Sequence, residues 1–155
     1  MTVGVARRAR QVDVRGPRFT AWVTTGVLVV ALVTQSWQVA AAQTVVFGIG
    51  AFAGLRYAPY PLVFRYAVKP LLGPTRETED EAPPRFAQAV GFVFAAVATV
   101  GFGVGPTALG TAAAALALAA AVLNAAFGIC LGCLMYLRYR RLVGVLAHPA
   151  TPAGQ

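Results

Sequence analysis

An all-α fold is predicted for this sequence: a four-helix transmembrane bundle made of two helical hairpins joined by a cytoplasmic loop. Three observations predict it. The 155-residue chain is 58% hydrophobic and only 12% charged, with a mean hydropathy of +0.68, roughly half the charged share of an ordinary soluble domain. Its thirteen basic and five acidic residues fall in three places, at 7–18, 56–85 and 138–141. Between them lie charge-free runs of 37 and 52 residues. A helix crosses about 30 Å of hydrocarbon with roughly 20 residues, so each run suits two crossings.

Taken in order, residues 1–18 form a basic cytoplasmic segment carrying Arg7, Arg8, Arg10, Asp13, Arg15 and Arg18. The first hairpin has helices near 19–35 and 38–55, separated by Thr34-Gln35-Ser36-Trp37-Gln38, a polar break with an interfacial tryptophan. A cytoplasmic loop covers 56–85. The second hairpin has helices near 86–103 and 107–137, separated by a glycine-rich break in which Pro106 stands where a helix can begin. The membrane domain thus spans 19–142, and 143–155 is a cytoplasmic tail. A cleaved signal peptide is disfavoured, because apolar sequence resumes through Thr44–Phe52 directly after Ala40-Ala41-Ala42.

Orientation follows from charge. All thirteen basic residues flank one side of the hairpins, and the opposite turns have none. Basic residues collect on the cytoplasmic side, so the expectation is a multi-pass plasma-membrane protein with both termini in the cytoplasm. The same placement argues against nucleic acid as a partner, despite a pI near 10.5.

The central loop divides in two. Tyr57, Tyr60 and Tyr66 suit the headgroup zone, and Arg65 and Lys69, four apart, share one face of a short helix. An interfacial segment on an anionic leaflet is expected there, with a docking surface for a soluble partner as the alternative. Glu77, Glu79, Asp80 and Glu81 read as solvated loop with no preset metal geometry. In the spans, alanine and glycine crowd Gly110–Ala121, which lets helices approach closely. No ionisable carboxylate, lysine or arginine lies in any span, which weakens the case for an ion-coupled carrier.

The chemical signature is Cys130-Leu131-Gly132-Cys133. On a continuous helix this spacing puts both thiols on one face, with Gly128 and Gly132 roughly opposite and Asn124 off the thiol face as a structural hydrogen-bonder. Counted back from Arg138 at about 1.5 Å per residue, Cys133 lies roughly 7.5 Å and Cys130 roughly 12 Å inward, at the cytoplasmic rim. Such a pair can exchange disulfides or carry sulfur, because the second thiol resolves a bond formed on the first. A zinc site needs about four ligands, and the chain offers two cysteines and His148. No metal and no cofactor are expected. Quinone-linked disulfide enzymes also use four helices with Cys-x-x-Cys. They normally have a second cysteine pair and face the oxidising side, and this chain has neither feature.

Several strings resemble a family of small bacterial membrane proteins classed as a domain of unknown function. They are Val12-Asp13-Val14-Arg15-Gly16-Pro17-Arg18-Phe19-Thr20, Ala58-Pro59-Tyr60, Pro84-Arg85-Phe86-Ala87-Gln88-Ala89-Val90-Gly91 and the Cys130–Cys133 motif. The resemblance covers roughly Val12 to Leu142, although the family has proline where this chain has Val14. Its members resemble four-helix proteins and are often encoded near thioredoxin-like or rhodanese-type proteins. The resemblance implies Asp13, Arg15, Arg85, Gln88, Asn124, Cys130 and Cys133 as a functional set. It demonstrates no activity, and whether the protein is an enzyme stays open. The leading expectation is thiol redox or sulfur handling by Cys130 and Cys133, supported by Asn124, Arg85 and Gln88. The partners would be the lipid bilayer, a cytoplasmic thioredoxin-like or rhodanese-type protein and other copies of the chain in a homo-oligomer. The alternatives are a non-catalytic membrane subunit or scaffold, and a small-solute or sulfur-species permease.

Overall fold

The computed structural model describes residues 10–147; the end of the predicted tail, with His148, lies outside them. The protein is overwhelmingly helical. Strand β1 (Gln11–Asp13) leads into α1 (Arg15–Thr34), which begins four residues before the predicted Phe19. Gln35 ends α1 in a left-handed conformation, and Ser36 caps α2 (Trp37–Gly48), its Oγ accepting the Val39 N–H at 3.4 Å. The apolar run continues through a π turn, Ile49–Ala53, to Gly54.

The predicted loop is mostly helical. A 3₁₀ turn (Leu55–Tyr57), α3 (Pro59–Val63), a second π turn (Phe64–Val68) and α4 (Lys69–Leu72) follow in succession. Phe64 is buried, with its ring 5.7 Å from that of Phe19, so this segment folds back against the start of α1. Strand β2 (Thr78–Asp80) pairs antiparallel with β1, Val12 standing opposite Glu79. The acidic stretch is therefore not wholly solvated. Glu81 is buried, and its Oε1 accepts the Leu55 N–H at 3.1 Å.

The remaining chain forms α5 (Ala82–Gly103), α6 (Thr107–Phe127) and α7 (Leu131–Ala147). Helix α5 packs against both α2 and α6, and α1 packs against α6 and α2. Small residues allow it: Ala40, Ala98, Ala113 and Ala114 form a buried cluster, and a Cβ on Gly101 would collide with the backbone of Gly110. Helices α1, α5 and α6 are long and apolar enough to cross a membrane. Their outer faces carry exposed Trp22, Val30, Val33, Val93, Val100 and Leu116, a surface suited to hydrocarbon. The apolar helix Trp37–Ala53 is shorter, reaching roughly 25 Å at about 1.5 Å per residue.

The predicted fourth helix, 107–137, needs correction. It is two helices, α6 and α7, separated at Gly128-Ile129-Cys130. Hydropathy continues across the break, but the backbone does not.

Candidate functional site

The break makes the site. Helix α6 stops because Gly128 adopts a left-handed conformation (φ +68), which glycine does without a Cβ penalty. Its N–H bonds the Asn124 carbonyl at 3.0 Å, and the Ile129 N–H reaches the Leu123 carbonyl at 3.2 Å. The carbonyls of Ala125 and Ala126 go to Arg18 of α1, at 3.0 Å from Nε and 3.1 Å from Nη2. A cation there also suits the negative end of the helix. Sequence reasoning counted Arg18 only as a flanking charge.

Cys130 is the residue before α7, and Cys133 lies in that helix's first turn. The Cys133 backbone N–H donates to Cys130 Sγ at 3.4 Å, so the sulfur sits where a helix cap sits. The two thiols do not share the face of one continuous helix, as the spacing had implied. Gly128 and Gly132 are not a pair on one helix either. Gly128 ends α6, while Gly132 lets α7 rest on α5, where an added Cβ would stand 2.6 Å from Ala87. Phe86 and Tyr136 extend that contact, with ring centroids 5.7 Å apart.

This placement makes the cysteines unequal. Hydrogen bonding from the Cys133 thiol, joined by the N–H groups of Cys133 and Gly132, holds the Cys130 thiol below its ordinary pKa against the opposing effect of burial. Cys133, which donates to Cys130 and is itself partly buried, is pushed up. Ionisation is thus favoured at Cys130 over Cys133, the kind of asymmetry thiol exchange uses. The charge of Glu79 on β2 reaches both thiols and opposes their ionisation, and partial burial raises Glu79's own pKa.

Cys130 lines a cavity of about 470 Å³. The cavity runs inward beside Asn124, Ala121 and Ala117 on successive turns of α6, and beside Pro17, Thr20 and Thr24 on α1. Ala87, Gln88, Gly91 and Phe94 of α5 supply another wall, and Arg65 and Lys69 lie at the end nearest α3 and α4. Small residues close the bundle at Gly101 and Gly110, but here they leave a hollow. Thr20 and Thr24 are 5% and 3% exposed, and neither hydroxyl has a hydrogen-bond partner. Thr25, Thr34, Thr44 and Thr99 instead bond the carbonyl four residues back. A polar pair one turn apart on an apolar helix was the signal that could have singled out Thr20 and Thr24.

The predicted supporting residues separate. Asn124 and Gln88 line the same cavity as Cys130. Placing Asn124 away from the thiol face assumed an unbroken helix, and the break at Gly128 reverses that reading. Arg85 is not among the cavity's lining residues. Its guanidinium donates to the carbonyls of Ala51 (2.9 and 3.3 Å) and Phe52 (3.3 Å), at the π turn. Asp13 lines the cavity, and Arg15, 3.0 Å away, holds its carboxyl below the usual range while also donating to the Gly73 carbonyl at 3.0 Å.

A family model described as Domain of unknown function (DUF4395) matches residues 12–141. That span includes both cysteines and every residue that lines the cavity except Gln11, the first residue of β1. No curated protein and no solved structure matches the chain.

Proposed function

The chain belongs to the DUF4395 family, whose description assigns no activity, and on that premise we propose that it is a bacterial inner-membrane protein performing thiol redox or sulfur-handling chemistry through Cys130 and Cys133. In this reading α1, α2, α5 and α6 cross the bilayer as two hairpins. The basic segments lie in the cytoplasm. Pairing of β1 with β2 supports this, since it requires the N-terminal segment and the central segment to share a side.

One observation carries the chemistry: Cys130 Sγ caps the start of α7, and Cys130 is among the residues that line the cavity. A helix start and N–H donors favour the thiolate. The Cys130 thiolate attacks one sulfur of a partner's disulfide, forming a mixed disulfide and releasing the partner's other sulfur as thiolate. Cys133, losing its proton, then attacks Cys130 Sγ, closes the Cys130–Cys133 disulfide and releases the partner as a dithiol. With a persulfide donor, Cys130 takes the outer sulfur and the donor leaves as a thiol. The partner is a cytoplasmic thioredoxin-like or rhodanese-type protein, and in that reducing compartment the cysteines rest as thiols.

Trapping tests the reading. Cys133→Ser is expected to accumulate a mixed disulfide through Cys130 while inserting normally. If Cys130→Ser and Cys133→Ser both keep full function in a cell that needs the protein, the chain is a scaffold with incidental cysteines.

A further inference from the structure

The cavity changes character along its length. It runs past Gly16 to Thr24 on α1, Pro84 to Phe94 on α5 and Leu116 to Asn124 on α6. At about 1.5 Å per residue these stretches cover roughly 12 to 15 Å, the depth of one leaflet in a hydrocarbon core about 30 Å thick. The charged lining residues, Asp13, Arg65 and Lys69, belong to β1 and the segment before β2. Phe64 lies against Gly16 at the start of α1, which puts Arg65 at that end. Lys69 belongs there too, because its charge reaches Asp13. Asp13 is already bound by Arg15 at 3.0 Å, and neither Arg65 nor Lys69 forms an ion pair among the described residues. That end of the cavity therefore offers two cations.

The lining then grades inward. Helices α5 and α6 run antiparallel and touch at Gly101 and Gly110. Thirteen steps from Gly101 reach Gln88 and fourteen from Gly110 reach Asn124, so these two amides lie at about one level. Seven steps from each glycine reach Phe94 and Ala117, deeper in the bundle, where Leu116 joins them in an apolar wall. Thr20 and Thr24 also border the hollow, but their hydroxyl oxygens are closed off from it. Cation, amide and hydrocarbon thus follow one another along the cavity. A phospholipid presents the complementary series of phosphate, ester carbonyls and acyl chain. We infer that the cavity holds an acyl chain of an anionic phospholipid from the cytoplasmic leaflet, with Arg65 and Lys69 at its phosphate and Gln88 and Asn124 near its ester carbonyls. This rests on the membrane placement proposed above, which sets the basic end in the headgroup zone and the apolar end in hydrocarbon. A zwitterionic lipid would bring its own cation to a basic mouth, and a soluble anion would not fill the apolar end. Cys130, Leu131 and Gly132 line the same space, so the lipid forms part of the thiol's surroundings.

The test uses the full chain purified in a maltoside detergent, with dioleoyl phosphatidylglycerol, dioleoyl phosphatidylcholine and glycerol phosphate as probes. Native mass spectrometry counts the bound lipid and gives its affinity. We expect one retained phosphatidylglycerol, phosphatidylcholine bound about fivefold more weakly, and no competition from glycerol phosphate. Arg65→Gln and Lys69→Gln should each weaken phosphatidylglycerol about fivefold, and the double variant about thirtyfold. Arg140→Gln, on α7 and outside the cavity lining, should leave binding unchanged. Ala121→Leu, which enlarges a lining residue one turn from Ala117, should abolish binding. If that variant does not fold, the charge variants, on exposed side chains, decide the result. Equal affinity for the two lipids, competition by glycerol phosphate, or binding unchanged in the double variant overturns the site. So does a loss in Arg140→Gln as large as in Arg65→Gln, which would put the lipid on the outer surface. Washing membranes with alkaline carbonate checks the placement separately. A chain that is stripped off overturns the membrane reading, whereas one that stays but shows no lipid selectivity overturns the lipid site alone.

Discussion

The Arg18 guanidinium, in the first turn of α1, lies 3.0 Å from the carbonyl of Ala125 in the last turn of α6. It joins the start of the chain to the helix end that sets Cys130 in place. Arg18→Leu removes two charge-assisted bonds to carbonyls that have few other donors. We expect a loss of about 1–2 kcal/mol, seen as a lower melting temperature in detergent. We also expect faster labelling of Cys130, because fraying of α6 frees the break. An unchanged labelling rate would mean that the break is held without Arg18.

Thiol reactivity should depend on pH in a residue-specific way. The Cys130 pKa is lowered, so its thiolate fraction at a given pH exceeds that of a free thiol, and its alkylation rate should inflect below the ordinary value of about 8.5. Cys133 is raised and should label slowly throughout the neutral range. Since the Cys133 thiol is the largest cause of the lowering, Cys133→Ala should move the Cys130 inflection upward. Cys133→Ser, which keeps a donor, should move it less. Mass spectrometry of alkylated peptides across pH 6 to 10, as an approximate range around the ordinary thiol value, distinguishes these cases.

Glu81 is 7% exposed and accepts the Leu55 N–H. Glu81→Ala leaves that N–H without its acceptor beside Gly54, whose φ of +110 already fixes the chain direction. We expect about 1–3 kcal/mol of destabilisation and faster proteolysis between Gly54 and Ala58. Glu77→Ala, on an exposed residue, serves as the control and should be neutral.

Topology is tested with fused reporters. Those placed after Arg10, between Thr75 and Arg76, and after Gln155 should report the cytoplasm. Reporters near Ser36 and Val104 should report the outside. The loop insertion goes before Glu77 because Thr78–Asp80 pairs with Gln11–Asp13, and an insertion inside that strand would break the pair. A periplasmic signal from the C-terminal fusion would overturn the proposed orientation.

Much of the helical plan was legible in charge spacing and polar breaks. Pro106 marks a helix start in sequence and in structure, and the polar break read at 34–38 contains Ser36, which caps α2. What hydropathy could not reveal was backbone conformation. Gly128 ends a helix through its left-handed φ, yet Ile129, Leu131 and Leu134 keep the run apolar. The pairing of β1 with β2 joins residues more than sixty positions apart, and three-residue strands carry too little periodicity to announce themselves. Both cysteines were legible as a pair. Their inequality was not, because it arises from where α7 begins.

The π turn at Ile49–Ala53 has an evolutionary consequence. A π turn holds one residue more per hydrogen bond than an α turn, and here the carbonyls of Ala51 and Phe52 turn to Arg85. The extra residue and the cation are therefore expected to be inherited together. A relative that deletes one position within 49–53 straightens the helix and frees position 85 to drift. A relative that keeps the extra position must keep a donor to answer it. Aligned homologues should show this co-variation, and it would mark Arg85 as the partner of an ancient insertion in the second helix.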